Sequence, residues 1–290
     1  MSAIRLAFAA AALLAIAAPV AFATEAFPNA TRALAPTFEE DANLANAVGS
    51  PLRSAEHKAR DAWRHPYESL TFWGLRPGIT VIEIAPGGEA WWTEILLPYT
   101  RATGGRYIAA YNDSRNPQMT DAGRKARADF EAKFGVTAVD FGMVSGLGTP
   151  DSSVELVLVA RAFHNWARAE GQTDRYMAEF FRALKPGGVL AVEQHRAAAG
   201  TDVTVTAPNG YVPESYVIAA AEKAGFVLEA RSEVNANPDD DRDHPFGVWT
   251  LSPVRRSATA GQPEDPNFDH RPYDAVGESD RMTLRFRKPA

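Results

Sequence analysis

Two kinds of hydrophobic pattern alternate along most of the chain from residue 80 onwards. Short runs rich in β-branched and apolar residues predict strands, and glycine, proline or polar residues end each run. Longer segments with apolar residues at i and i+4, such as Trp91 and Ile95, predict helices. The predicted strands are Thr80–Ala85, Tyr107–Tyr111, Ala138–Val144, Val154–Ala160, Val189–Glu193, Phe226–Val234 and Met282–Arg287.

This alternation predicts an α/β fold. The helices predicted between the strands are Ala90–Leu97, Asp121–Phe134, Asp174–Leu184 and Pro213–Ala224. The run Val154–Ala160 is almost continuously apolar, which is typical of a parallel strand that is buried on both faces. We therefore expect a doubly wound, mostly parallel sheet of seven strands with right-handed crossovers.

The pattern fails between residues 235 and 280, where prolines and an acidic run, Asp239 to Asp241, interrupt it. A long insert before the last strand, within a domain spanning 51–290, is therefore predicted. Such an insert either covers a cleft or stays mobile. The acidic run lacks the glycine and the closing glutamate of an EF-hand, so we predict no metal site there. Residues 24–50 are predicted to be an irregular lead-in.

The first residues are typical of a secretory signal peptide. A positively charged start, Met1–Arg5, precedes the apolar run Leu6–Ala18, and Ala21-Phe22-Ala23 fits a cleavage site. The apolar run is short for a membrane span. We expect cleavage after Ala23, a periplasmic or secreted protein, and no stable membrane insertion afterwards; an uncleaved anchor is the alternative.

The amino-acid composition excludes several kinds of site and partner. The chain of 290 residues contains no cysteine, which excludes disulfides, thiolate metal sites, iron–sulfur clusters and a cysteine nucleophile. Its formal net charge is -6, whereas a nucleic-acid binder needs a basic surface, so nucleic acid is not an expected partner.

The turn after the first predicted strand indicates a ligand. Gly87 and Gly88 would let a ligand approach the backbone, but the glycine pattern is not that of a dinucleotide fold. Glu83 and Glu89 would repel a pyrophosphate, which disfavours a nicotinamide oxidoreductase. They suit a cation with hydroxyls and an amine, such as S-adenosylmethionine. The loop alone is equally consistent with a tight turn that only packs helix on sheet.

Polar residues also follow the other central strands, where ligands of open α/β sheets bind. Asp113, next to Asn112, can accept ribose hydroxyls. His164 and His195 could serve as the base for a neutral acceptor hydroxyl, oriented by Asn165 and Arg161. The structural alternative is that His164 caps a loop, Trp166 packs on a helix, and Glu193 pairs with Arg196.

The chain as a whole resembles the class I S-adenosylmethionine-dependent methyltransferases, and more narrowly an exported bacterial branch of them. The resemblance rests on Pro66–Gly88 (PYESLTFWGLRPGITVIEIAPGG), Trp92–Leu96, Arg161–Trp166 (RAFHNW), Leu184–Gly188, Glu193–Ala197, Asn235–Pro238 and Gly277–Met282. Two positions depart from the family's first loop: Ala85 replaces its first glycine and Glu89 its third. No acid follows the third strand.

The resemblance implies a Rossmann-like fold, S-adenosylmethionine as cofactor, and methyl transfer to a small-molecule or envelope acceptor. The cofactor residues are then Glu83, Ala85, Gly87, Gly88, Asn112, Asp113 and Arg161, and the catalytic residues are His164, His195 and Asn165. Because S-adenosylmethionine is made in the cytosol, a non-catalytic periplasmic binding protein that retains the fold is the alternative. The acceptor, the metal requirement and the oligomeric state stay open.

Overall fold

The computed structural model describes residues 41–290. The predicted signal peptide, residues 1–23, and the first part of the predicted lead-in lie outside the described residues. The end of that lead-in is not irregular, which corrects the prediction for residues 41–50. The Asp41 carboxylate accepts hydrogen bonds from the backbone amides of Asn43 and Leu44, and this cap begins helix α1.

Helices flank the sheet on both faces. Within the described residues they are α1 (Ala42–Gly49), α2 (Ala55–Ala59), α3 (Asp61–Arg64), α4 (Pro66–Phe72), α5 (Thr93–Ala102), α6 (Asp121–Phe134), α7 (Phe163–Trp166), α8 (Gln172–Ala183), α9 (Val203–Thr206), α10 (Glu214–Lys223) and α11 (Arg271–Val276). No helix among them is both long and apolar enough to cross a membrane.

The described residues form one sheet of eight strands. The strands are β1 (Thr80–Ile84), β2 (Arg106–Asn112), β3 (Val139–Gly142), β4 (Gly146–Leu147), β5 (Val154–Ala160), β6 (Leu184–His195), β7 (Val227–Ser232) and β8 (Arg281–Arg287). Their order is β4-β3-β2-β1-β5-β6-β8-β7. Strands β1, β2, β3, β5 and β6 are parallel, whereas β4 and β8 run antiparallel to their neighbours.

The mostly parallel, doubly wound fold is confirmed, but the count of seven strands is wrong. The predicted third strand, Ala138–Val144, ends at Gly142, and the chain turns back to form the two-residue strand β4. Gly146, at the start of β4, has a φ of +66°, which only glycine adopts without strain. The turn therefore adds a strand that hydrophobic periodicity does not show.

The central strands are buried on both faces, as the apolar run in β5 predicted. Ile82 and Val157 pack with α8 and α10 on one face, and Val81 and Leu158 pack with α4 and α5 on the other. Three tryptophans, Trp73, Trp91 and Trp92, are fully buried in that second layer. The two layers fix the carboxyl ends of β1, β5 and β6 side by side at one edge of the sheet.

The insert separates β7 from β8 and contains one 3₁₀ turn, Gly247–Thr250, and α11. Asp240 is fully buried, and its carboxylate accepts hydrogen bonds from Tyr211 Oη and from the backbone amides of Arg242 and Asp280. His244 Nε2 lies 2.9 Å from the same carboxylate. The middle residue of the acidic run therefore anchors the insert against the domain.

Candidate functional site

A cavity of about 260 Å³ lies where the carboxyl ends of β1, β5 and β6 meet. This is the switch point of the sheet, because the chain proceeds from β1 to β2 on one side and from β5 to β6 on the other. Six of the sequence-predicted site residues line the cavity: Ala85, Gly87, Arg161, His164, Asn165 and His195.

Residues that the sequence did not single out complete the cavity. They are Arg64 from α3, Arg281 from the start of β8, and Val248, Trp249, Ser252, Pro253, Val254 and Ser279 from the insert. Trp249 contacts the His164 ring edge-on, with ring centroids 5.7 Å apart. The insert therefore forms one wall of the cavity.

A larger cavity of about 610 Å³ lies against α5, lined by residues that include Leu97, Pro98 and Phe134. It lies on the helical layer and not at the strand ends. None of the sequence-predicted site residues lines it. We therefore place the candidate site at the switch point, where open α/β sheets bind their ligands.

The backbone on both sides of the switch point is in a left-handed conformation. Ala85, directly after β1, has a φ of +50°, and Arg161, directly after β5, has a φ of +55°. Such a conformation costs a non-glycine residue on the order of 1–3 kcal/mol and is concentrated at functional sites. A Cβ added at Gly87 or Gly88 would meet no atom within 4 Å, so the loop borders open space.

Glu83 and Asp113 do not line the cavity, which corrects the expectation that they share a pocket with the glycine loop. Glu83 Oε2 accepts hydrogen bonds from Thr93 Oγ1 at 2.8 Å and Tyr107 Oη at 2.7 Å. Burial raises the pKa of the Glu83 carboxyl to about 7, although these two hydroxyls and Arg161 act against the rise. Glu83 thus supports the loop from within the sheet.

Asp113 caps a loop instead of offering its oxygens to a ligand. Its carboxylate accepts hydrogen bonds from the backbone amides of Ser145 and Arg115 and from the Ser145 hydroxyl. Burial would raise the pKa of Asp113, but these hydrogen bonds outweigh it and lower the pKa. Its neighbour Asn112 is exposed at the end of β2. Asn112 and Gly88 also lie outside the cavity wall.

The two histidines are close together, with ring centroids 6.0 Å apart. His164 Nδ1 lies 3.4 Å from Gln194 Nε2, and His195 Nδ1 lies 2.5 Å from Ser279 Oγ. Burial, with a further contribution from Arg168, lowers the pKa of His164 to about 4. Burial and Arg281 lower the pKa of His195 well below its usual value. Both rings are therefore neutral at neutral pH.

A buried arginine cluster lies behind the cavity, and the sequence analysis missed it. The Glu278 carboxylate accepts hydrogen bonds from Arg60 Nε at 2.6 Å, from Arg64 Nε at 3.0 Å and from Arg281 Nη2. These partners, together with Arg281's neighbour Glu193, are nearly inaccessible to solvent. Burial acts to raise the pKa of Glu278, but the three arginines outweigh it and hold the pKa far below its usual range.

The pair of Glu193 with Arg196, which was part of the structural alternative, does not form. Glu193 Oε1 lies 3.3 Å from Arg281 Nε, and its other oxygen accepts a hydrogen bond from Trp92 Nε1. Arg196 instead pairs with Asp280 and Glu233. Arg281 lies on the face of β8 opposite the apolar residues Met282, Leu284 and Phe286. The alternation of the strand therefore gave no signal that this arginine is buried.

Comparisons with known proteins concern the domain and the fold. A family model described as a methyltransferase domain matches residues 95–192, from α5 to β6. The crystal structure of the 4+2 cyclase SpnF is 17% identical and has a TM-score of 0.52, covering 85% of this chain and 92% of its own, which shows the shared fold.

Two further solved structures are more distant. An S-adenosylmethionine-dependent methyltransferase from Aquifex aeolicus is 20% identical, with 61% of this chain and 87% of that chain covered and a TM-score of 0.43. One from Mesorhizobium loti is 14% identical, with coverages of 76% and 96% and a TM-score of 0.44.

Residues 95–192 match a methyltransferase domain, and the sheet has the fold of the class I methyltransferases. A methyltransferase domain implies an enzyme whose cofactor is S-adenosylmethionine. The loop Ala85–Gly88 fits this cofactor, because its glycines leave a space that a ligand would fill. The cavity is slightly smaller than the roughly 300 Å³ at which small-molecule pockets begin.

The buried Glu83 predicts a pH-dependent stability. An acid whose pKa rises from 4.5 to about 7 on folding contributes most to stability below pH 4.5, and this contribution is lost as pH rises through about 7. Glutamine stays neutral, and its side-chain oxygen can still accept hydrogen bonds from the hydroxyls of Thr93 and Tyr107. We expect Glu83→Gln to gain stability over the parent across that interval, by up to about 3 kcal/mol.

Urea unfolding at a series of pH values measures this difference. The exposed Glu222→Gln on α10 is the matched control, and its difference from the parent should not change with pH. A Glu83→Gln difference that is equally constant would show that the pKa of Glu83 does not change on folding.

Proposed function

We propose that this chain transfers a methyl group from S-adenosylmethionine to a small-molecule acceptor bound beside His164 and His195. The observation that carries the proposal is the cavity itself, which joins the glycine loop of β1 to both histidines at the switch point. The cofactor supplies the electrophilic methyl group. Every other contribution comes from how this chain positions the two reactants.

The cofactor lies along the loop after β1. Ala85, Gly87 and Gly88 offer backbone that a ligand can approach, and Glu83 holds the strand beneath them through Thr93 and Tyr107. At the end of β2 the exposed Asn112 faces the ribose, whereas Asp113 holds the loop behind it. Ribose recognition in this chain thus depends on an amide rather than a carboxylate.

Positioning is the main catalytic contribution, since holding two reactants in the correct geometry can lower a barrier by about 7–11 kcal/mol. The neutral rings of His164 and His195 accept a hydrogen bond from the acceptor. With a pKa of about 4, His164 orients the acceptor more than it removes a proton. Asn165, exposed at the mouth, and the insert residue Trp249 confine the acceptor and exclude water.

Gly88→Val tests the cofactor position. Gly88 does not need a positive φ, and its new side chain would meet no protein atom, so stability should change by less than about 0.5 kcal/mol. The side chain would instead occupy the ligand's space. We expect S-adenosylhomocysteine binding, measured by calorimetry, to weaken at least 100-fold, by about 3 kcal/mol.

Gly49→Val on α1 is the matched control, because its added side chain also meets no atom and lies on another element. Parental affinity in Gly88→Val would place the cofactor elsewhere. Absence of S-adenosylhomocysteine binding in the parent itself would refute the proposed function.

His164→Ala and His195→Ala test the acceptor side. Both should bind S-adenosylhomocysteine normally, and at least one should lose turnover by about 10²- to 10⁴-fold once an acceptor is found. Because both parental rings stay neutral, the parental kcat should show no inflection near pH 6.5. Parental turnover in both variants, or an inflection near pH 6.5, would contradict the proposed role.

We also propose that the protein is exported, on the strength of the charged start, the apolar run and the Ala21-Phe22-Ala23 motif. Mass spectrometry of the protein from a periplasmic or secreted fraction should then give Thr24 as its first residue. Detection of Met1 on the protein purified from its native host would contradict export by cleavage.

A further inference from the structure

The cavity carries a cation with no partner in the part of the chain that the structure describes. Arg161 lines the cavity, and its guanidinium group makes no hydrogen bond to residues 41–290; its Nε is fully buried. The nearby Arg64 is 0% exposed, and both of its terminal nitrogens, Nη1 and Nη2, are also buried without a hydrogen-bond partner. The Nε of Arg64 donates to Glu278, so the lack of an acceptor concerns its two terminal nitrogens. Buried guanidinium nitrogens without an acceptor are costly, which points to a missing anion.

The local charge balance points the same way. Four guanidinium groups lie around the inner end of the cavity, on Arg60, Arg64, Arg161 and Arg281. Two buried carboxylates, Glu193 and Glu278, lie within ion-pair distance of Arg60, Arg64 and Arg281. The buried Glu83 also acts on Arg161, but its carboxylate is held by the hydroxyls of Thr93 and Tyr107. Among the described residues, no carboxylate forms an ion pair with Arg161 beside the proposed reaction site.

We propose that the methyl acceptor carries an anionic group, a carboxylate or a phosphate, which binds the guanidinium groups of Arg161 and Arg64. This assignment rests on the proposed function and specifies its substrate class. A planar guanidinium donates two parallel hydrogen bonds to either anion, so two arginines can saturate one such group. The anion supplies the acceptors that these nitrogens lack in the protein.

The topology assigns this anion to the acceptor and not to the carboxylate of the cofactor. The cofactor loop follows β1, whereas Arg161 follows β5, and Ser279 and Arg281 begin β8 beyond β6. The sequence pattern groups Arg161 with the cofactor residues, but its position favours the acceptor half of the cavity. A sulfonium cation beside this cluster is also repelled until an anion balances the charge.

Arg161→Met separates a ligand site from a structural ion pair. Methionine has a similar length and no charge, so removing the unpaired cation should raise the midpoint of urea unfolding. We expect the same variant to bind inorganic phosphate and malonate about 10- to 100-fold more weakly in calorimetry. Arg161→Lys keeps the charge and should recover part of this affinity. Arg76→Met, at an exposed position before β1, is the control for the loss of one positive charge.

The titrations are repeated with saturating S-adenosylhomocysteine. Phosphate or malonate binding that is retained under these conditions supports an acceptor subsite. Competition between the anion and S-adenosylhomocysteine would overturn the inference, because it would assign the arginines to the carboxylate of the cofactor. Anion binding that Arg161→Met leaves unchanged, no anion binding by the parent, or a lower unfolding midpoint for Arg161→Met would each overturn the inference. Loss of S-adenosylhomocysteine binding by the parent, with anion binding intact, would refute only the proposed function.

Discussion

The structure depends on the three-way ion pair at Glu278. Its carboxylate receives Arg60 and Arg64, from the helices before β1, and Arg281, from the first position of β8. Removing one partner of a buried pair costs about 3–5 kcal/mol, because an uncompensated charge remains. This single carboxylate therefore holds together the start of the domain, the end of the insert and the strand β8. It also fixes Arg64 beside the cavity, so the shape and the charge of the site have the same origin.

The charge pattern of the site lowers the stability of the folded protein. Arg64 has its pKa lowered by burial and by the neighbouring Arg161 and Arg281, a sign that the cluster repels itself. The face of Trp91 lies 4.8 Å from Arg64 and partly compensates. The left-handed backbone at Ala85 and Arg161 adds local strain on both sides of the switch point. Rigid parallel strands underneath can carry this strain, because β1 and β5 are buried on both faces.

Sequence patterns predicted the strands and loops that depend on local periodicity. They did not predict the contacts between residues that are far apart in the chain. The apolar run of β5 and the glycines after β1 gave the parallel sheet and the loop that borders the site. The turn that creates β4 was missed, since two residues carry no period. Asp113 looked like a ribose ligand because an acid after a strand has the same local sequence whether it binds a ligand or Ser145. The Glu278 cluster joins residues more than 200 positions apart, so no local pattern could show it.

The insert begins after β7 and ends at β8, and these two strands are antiparallel neighbours in which Ser232 pairs with Thr283. Its two ends are thus already adjacent, as in the loop of a hairpin. Doubling the length of a flexible loop with fixed ends costs only about 0.6 kcal/mol in closure entropy. The part of the insert between its anchors at Asp240 and Glu278, which walls the cavity, can therefore lengthen or shorten without disturbing the sheet. This wall of the cavity can change as a separate module, while the strands and the loop after β1 stay constant.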